Sequence, residues 1–126
     1  MHHLDVGKRG EDIACEFLES KGHHIKERNF RMKFGEIDIV STIGSRVYFT
    51  EVKTVISAPG KIYRPEDNVT PWKLQKLSRI VSVYLERKFP SERLVWEFLV
   101  VAITLDVERK TARVKVIRDV LKQEHQ

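Results

Sequence analysis

The sequence predicts an α/β (α+β) fold, a mixed β-sheet flanked by helices, in a single domain spanning residues 1–126. Three observations carry this. Apolar residues recur at helical spacing in two segments, residues 6–21 and 70–93. Between and after those segments the apolar residues alternate as strands do. A continuous apolar run from Phe98 to Ile103 suits a central strand covered on both faces. The resulting order is helix, strands, helix, strands.

Each element has a local reason. In residues 6–21, Ile13, Ala14, Phe17 and Leu18 form one apolar stripe, and Gly22 is a plausible stop. Glu11 falls on or beside that stripe. A first-turn acid there is favoured by the helix dipole; the alternative is an acid aimed at a site. Asp12 and Glu16 read as solvated. Residues 24–30 predict a short edge strand, whose neighbours Arg28, Arg31 and Lys33 either contact phosphate or protect an exposed edge. His23 and His24 are adjacent, so a strand would send them to opposite faces, which argues against shared metal ligation.

The densest chemistry lies in two runs, Gly35-Glu36-Ile37-Asp38 and Glu51-Val52-Lys53. Gly44-Ser45 between them fits a two-residue hairpin loop with Gly at its first central position. Ile43 then faces Arg46. Counting back sets Asp38 opposite Glu51 and Glu36 opposite Lys53. Like charges directly opposed on one face of a sheet repel. A divalent cation between Asp38 and Glu51 would reverse that sign, and Mg²⁺ favours one or two carboxylates plus water and phosphate oxygens. Lys53 shares the face of Glu51, where it could orient water or stabilise charge developing on phosphate. The bland alternative is a surface hairpin with cross-strand ion pairs.

Residues 57–67 contain Pro59, Gly60 and Pro65 and read as a loop carrying Lys61, Tyr63 and Arg64. Thr70-Pro71 is a helix start, with Thr as cap and Pro at the first helical position. Leu74, Leu77, Ile80, Val81, Tyr84 and Leu85 form the buried face of this helix. It is the most basic long element, and Lys73 and Lys76 share a face that could hold nucleic-acid backbone. Residues 94–105 are the central strand, 106–111 a turn, and 112–117 a half-exposed strand. Residues 119–124 read as a short helix.

Composition sets the outer bounds. Net charge is +5, from 23 basic and 18 acidic residues, a modest excess that suits a polyanionic partner. Cys15 is the single cysteine, which excludes an intramolecular disulfide and a cysteine zinc cluster. No apolar run reaches a membrane span and no secretory signal is visible, so a reducing cytoplasm is the expected compartment and no membrane partner is expected.

An ordered set of motifs carries a family resemblance. It comprises Gly7-Lys8-Arg9-Gly10-Glu11-Asp12-Ile13-Ala14, Arg28-Asn29-Phe30-Arg31, Gly35-Glu36-Ile37-Asp38-Ile39-Val40, Phe49-Thr50-Glu51-Val52-Lys53-Thr54 and Val69-Thr70-Pro71-Trp72-Lys73. The chain resembles the YraN-like family of uncharacterised bacterial proteins. That family is similar to archaeal Holliday junction resolvases and to the PD-(D/E)xK nuclease superfamily. The resemblance implies a restriction-endonuclease-like fold and a Mg²⁺- or Mn²⁺-dependent endonuclease acting on DNA, branched DNA included. It implies Asp38 and Glu51 as metal ligands, Glu11 as the helix acid and Lys53 as the catalytic lysine. Arg9, Arg31, Lys73 and Lys76 are the candidate nucleic-acid contacts. Resolvase-like chemistry would also want a two-fold homodimer, placing two sites on two strands. Two positions depart from the pattern: Ile37 stands where the superfamily's name has Pro, and Val55 where many relatives carry Arg. The competing expectation is a nucleic-acid- or protein-binding module that keeps the fold without turnover.

Overall fold

The computed structural model describes residues 3–61, 64, 71–90 and 94–122, with side chains for residues 5–61, 64, 71–90 and 94–118. Helix α1 (His3–Ser20) leads into strands β1 (His24–Met32), β2 (Gly35–Ile43) and β3 (Arg46–Ile56). Helix α2 (Pro71–Lys88) then precedes strands β4 (Val95–Asp106) and β5 (Thr111–Lys122). The strands form one sheet in the order β1-β2-β3-β4-β5. Neighbours run antiparallel except β3 and β4, which are parallel. A parallel pair cannot be closed by a tight turn, and α2 lies in the connection between these two strands. The fold is therefore mixed α+β, with five strands and two helices.

Each face of the sheet is covered by one helix. Ala14, Cys15 and Leu18 of α1 pack with Ile39, Tyr48, Leu99, Val101 and Ile103. Leu77, Ile80, Val81 and Tyr84 of α2 pack with Phe30, Ile37, Phe49, Phe98 and Val100 on the other face. The apolar run of β4 serves both layers alternately, and burial of each such side chain contributes roughly 1.5–3 kcal/mol. Leu74 and Leu85, expected in the same buried face of α2, are only partly covered. Tyr84 sits edge-on to Phe30 and Phe49 at 4.9 and 5.6 Å between ring centres. Its hydroxyl donates to Glu27 Oε1 at 3.2 Å. Burial, together with the adjacent Glu27 charge, pushes the phenol up to about 12.

Local signals explain most boundaries. At the end of α1 the His23 amide donates to the Leu18 carbonyl at 3.0 Å. Gly22 takes a φ of 95°, the left-handed geometry that ends helices. Helix α2 starts at Pro71 as expected, whereas Thr70, Tyr63, Pro65, Asp67, Glu92 and Arg93 lie outside the described residues. β1 occupies the sheet edge, as expected, and runs on to Met32.

One element differs from expectation. A helix is expected over residues 119–124; residues 119–122 are instead the end of β5, which continues to Lys122, and 123–124 lie outside the described residues. Phe98 pairs with Leu121 and Glu97 with Lys122. The amide and carbonyl groups of β4 would otherwise lack partners on that side, and ladder pairing satisfies them. A shift between Phe98 and Val100 absorbs the irregularity. Among the described residues, no helix is long and apolar enough to cross a membrane.

Candidate functional site

The hairpin of β2 and β3 has the register its turn implies. Ile43 pairs with Arg46, and the ladder continues to Ile39 and Thr50. Gly44 holds a φ of 58°, as a first central turn position with left-handed backbone requires. The ladder stops there. The cross-strand oppositions expected of Asp38 with Glu51 and of Glu36 with Lys53 give way to a different arrangement. The Asp38 carboxylate accepts a hydrogen bond from the Val52 amide at 2.7 Å.

A break in the pleat accounts for this. Residues two apart on a regular strand share a face. Ile37 nevertheless packs with the α2 layer and Ile39 with the α1 layer. The irregularity lies at Asp38. On β1, Arg28 pairs with Ile39 and Phe30 with Ile37, so Asn29 falls beside the break. Asn29 takes a φ of 54°, a left-handed conformation that Asn tolerates better than most residues. The kinked edge strand and the kinked β2 together open the end of the sheet.

That opening is a cleft of about 850 Å³ between the first turns of α1 and the ends of β1, β2 and β3. Glu11, Asp38, Glu51 and Lys53 all line it, from three separate elements. Arg31 lines it as well and pairs with Glu36 at 3.0 Å. Glu11 is 3.5 Å from Arg28, which holds Asp12 at 3.0 Å. Glu51 Oε2 meets Lys73 Nζ at 3.1 Å, tying the first turn of α2 to the cleft. Gly10 sets the depth of α1: a Cβ there would overlap the Thr54 side chain, with Thr54 Cβ only 2.8 Å away.

The electrostatics centre on Asp38. Burial raises its carboxyl from 3.8 to about 6, against the lowering effect of the Val52 amide. The charges of Glu11, Glu36 and Glu51 are smaller parts of that same rise. Four carboxylates thus share one field, and hard, oxygen-seeking cations are the chemistry such a donor set suits. Among the described residues, no group of three acid, histidine or cysteine side chains is close enough to hold a metal ion unaided.

Not every candidate lies here. Arg9 lines a separate depression with Leu105, Asp106 and Lys110. Lys76 stands over the Trp72 ring at 4.1 Å. His23 is occupied structurally: its Nδ1 lies 2.8 Å from Ser41 Oγ and its ring packs edge-on to Tyr48. Burial, then Arg118, lowers its pKa. Asn29, which lines the cleft, carried no catalytic expectation, and its one signal was a residue type that tolerates left-handed backbone within a strand.

Fold and cleft together define a mixed α+β protein with an acidic, lysine-bearing cleft at the open end of a β-hairpin. The chain belongs to a family described as Uncharacterised protein family UPF0102, whose model matches residues 10–117. This is the YraN-like family expected from the motifs. The chain is 32% identical over 119 residues to a UPF0102 protein of Caldicellulosiruptor saccharolyticus, covering 94% of this chain and 98% of that protein. It is 34% identical over 122 residues to one from Clostridium botulinum, covering 94% and 97%. A Helicobacter hepaticus relative is 42% identical over 85 residues, covering 68% and 73%.

Proposed function

We propose that this protein is a metal-dependent endonuclease with a restriction-endonuclease-like fold, hydrolysing phosphodiester bonds of DNA. The observation that carries the reading is the convergence of Glu11, Asp38, Glu51 and Lys53 on one cleft. Asp38 and Glu51 would hold Mg²⁺ or Mn²⁺. Such an ion supplies an activated water and neutralises the scissile phosphate. The fit rests on the Asp38 carboxyl, raised to about 6 by burial and by its acidic neighbours, an environment that a bound cation relieves.

The remaining roles belong to the chain. The Val52 amide fixes one Asp38 oxygen and so sets the carboxylate's orientation. Lys53, on the strand that carries Glu51, brings an ammonium group to the phosphate or to the attacking water. Arg28 holds Glu11 against β1. Arg31 offers the cleft rim a guanidinium for backbone phosphate.

A second reading has its own support. Lys73 already faces Glu51, and Arg28 already faces Glu11, so two of the acids carry protein counter-ions. That favours a nucleic-acid- or protein-binding module without turnover. Calorimetric titration with Mg²⁺ and Mn²⁺, on the natural chain and on Asp38→Asn, separates the two. Binding that Asp38→Asn abolishes supports the nuclease; no binding at millimolar ion supports the module. A cleavage panel of linear and branched DNA should then lose activity with Glu51→Ala and with Lys53→Ala. Cleavage surviving both substitutions would assign the activity to another site or a contaminant.

A further inference from the structure

Trp72 is the most exposed large apolar side chain among the described residues, at 66% of its full surface. An indole left in water beside a charged cleft calls for an explanation, because aromatic surface is usually covered. Its surroundings are specific. Lys76, one turn along α2, places its Nζ 4.1 Å from the ring centre. Lys73, the next residue, meets Glu51 of the cleft at 3.1 Å. The indole is therefore one residue along α2 from the group that joins this helix to the cleft.

The same surface repeats the pattern. Arg79, a further turn along α2, lies over the Phe34 ring at 4.4 Å. Phe34 belongs to the turn between β1 and β2. That turn touches α2 closely, since a Cβ on Gly35 would come within 2.7 Å of Ile80. Two cation–aromatic pairs thus lie along α2, whose first turn reaches the cleft through Lys73, and Arg31 lines the cleft itself. Cations would follow a phosphate backbone, and aromatic faces would take unstacked bases. A paired duplex offers no base face to such a platform, because its bases are stacked on one another.

We infer that Trp72, backed by Lys76, is a stacking platform for an unpaired nucleobase, so that the preferred substrate carries a single-stranded segment beside the cleft. The inference rests on the nucleic-acid reading above and narrows its substrate to single-stranded or branched DNA. Lys73 and Arg79 would hold the phosphates on either side of the stacked base.

Binding of a labelled single strand, a forked duplex and a blunt duplex tests this, in EDTA and again with Ca²⁺, by fluorescence anisotropy. Trp72→Ala should weaken single-strand and fork binding about five- to hundredfold, the span of base–aromatic stacking. Blunt-duplex binding should change less than twofold, and Trp72→Phe should keep most of the affinity. One abasic position in the single strand should reproduce the loss on the natural chain and add nothing on Trp72→Ala. Equal loss on all three DNAs, or no loss on any, overturns the platform and leaves the nuclease reading standing. Failure of the natural chain to bind any DNA in either condition overturns both. A change of oligomeric state on Trp72→Ala, read by sedimentation, with no change in DNA binding, would assign the indole to a protein contact instead.

Discussion

Replacing Asp38 by Asn should make the protein more stable at neutral pH. Folding raises this carboxyl from 3.8 to about 6, mainly through burial. The folded state then binds more protons than the unfolded one between those values. Stability falls as pH rises through that window, by linkage, and the cost is fully present above about pH 6. At about 1.4 kcal/mol per pK unit the cost is about 3 kcal/mol. Residual contact with water screens part of it, leaving an expected gain of about 1–3 kcal/mol for the variant. Asn is close in shape, and its carbonyl oxygen can still accept from the Val52 amide. Urea unfolding of both proteins from pH 4 to pH 8, in EDTA, reads the difference directly. The gap should be near zero at pH 4, open between pH 4 and 6, and stay flat to pH 8. Millimolar Mg²⁺ should then stabilise the natural chain but not the variant, narrowing the gap. A variant no more stable at pH 8, or a gap independent of pH, would refute the electrostatic account. A gap that Mg²⁺ leaves untouched would remove the metal role and spare the rest.

Gly10→Ala should destabilise by about 1–3 kcal/mol, because the new methyl overlaps Thr54 and lifts α1 from β3; Thr54→Ala in the same chain, which removes the overlapping hydroxyl and methyl, should recover part of the loss in thermal melts. Tyr84→Phe should cost about 1 kcal/mol in urea unfolding, through the lost hydrogen bond to Glu27, and a neutral effect would show that Glu27 finds water instead. If the cleft holds nucleic-acid backbone, Arg31→Ala should weaken DNA binding at every sequence and flatten its salt dependence by about one phosphate contact. An unchanged salt slope would remove Arg31 from the contact surface.

What could be read from the chain was what depends on near neighbours. The Gly44-Ser45 turn fixes the pairing of Ile43 with Arg46 through backbone geometry alone, and the ladder to Thr50 follows. The unbroken run of Phe98 to Ile103 announces a strand with two apolar faces, which is where β4 sits. The site's participants were legible as residue types, but their arrangement was not. Asn29 reverses the pleat opposite Asp38 through a φ of 54°, and apolar periodicity has no symbol for that. The approach of Lys73 to Glu51 joins residues brought together only by packing of α2. Residues 119–122 carry too little sequence to separate strand from helix, and β4 decides the matter by offering partners.

The parallel pairing of β3 with β4 has a kinetic consequence. It joins Arg46 to Val95 and Ile56 to Leu105, residues distant in sequence. The meander of β1, β2 and β3 closes through short turns and can form early, so Asp38 and the Val52 amide meet before the second half of the chain arrives. Non-local pairs form late, because the entropy of closing the loop is lost before the pairing can compensate for it. Until α2 docks and β4 enters, the apolar run of Phe98 to Ile103 has no cover. Partly folded chains should associate through that strand. Refolding yield should therefore fall with protein concentration, even though the native fold buries the whole of that run.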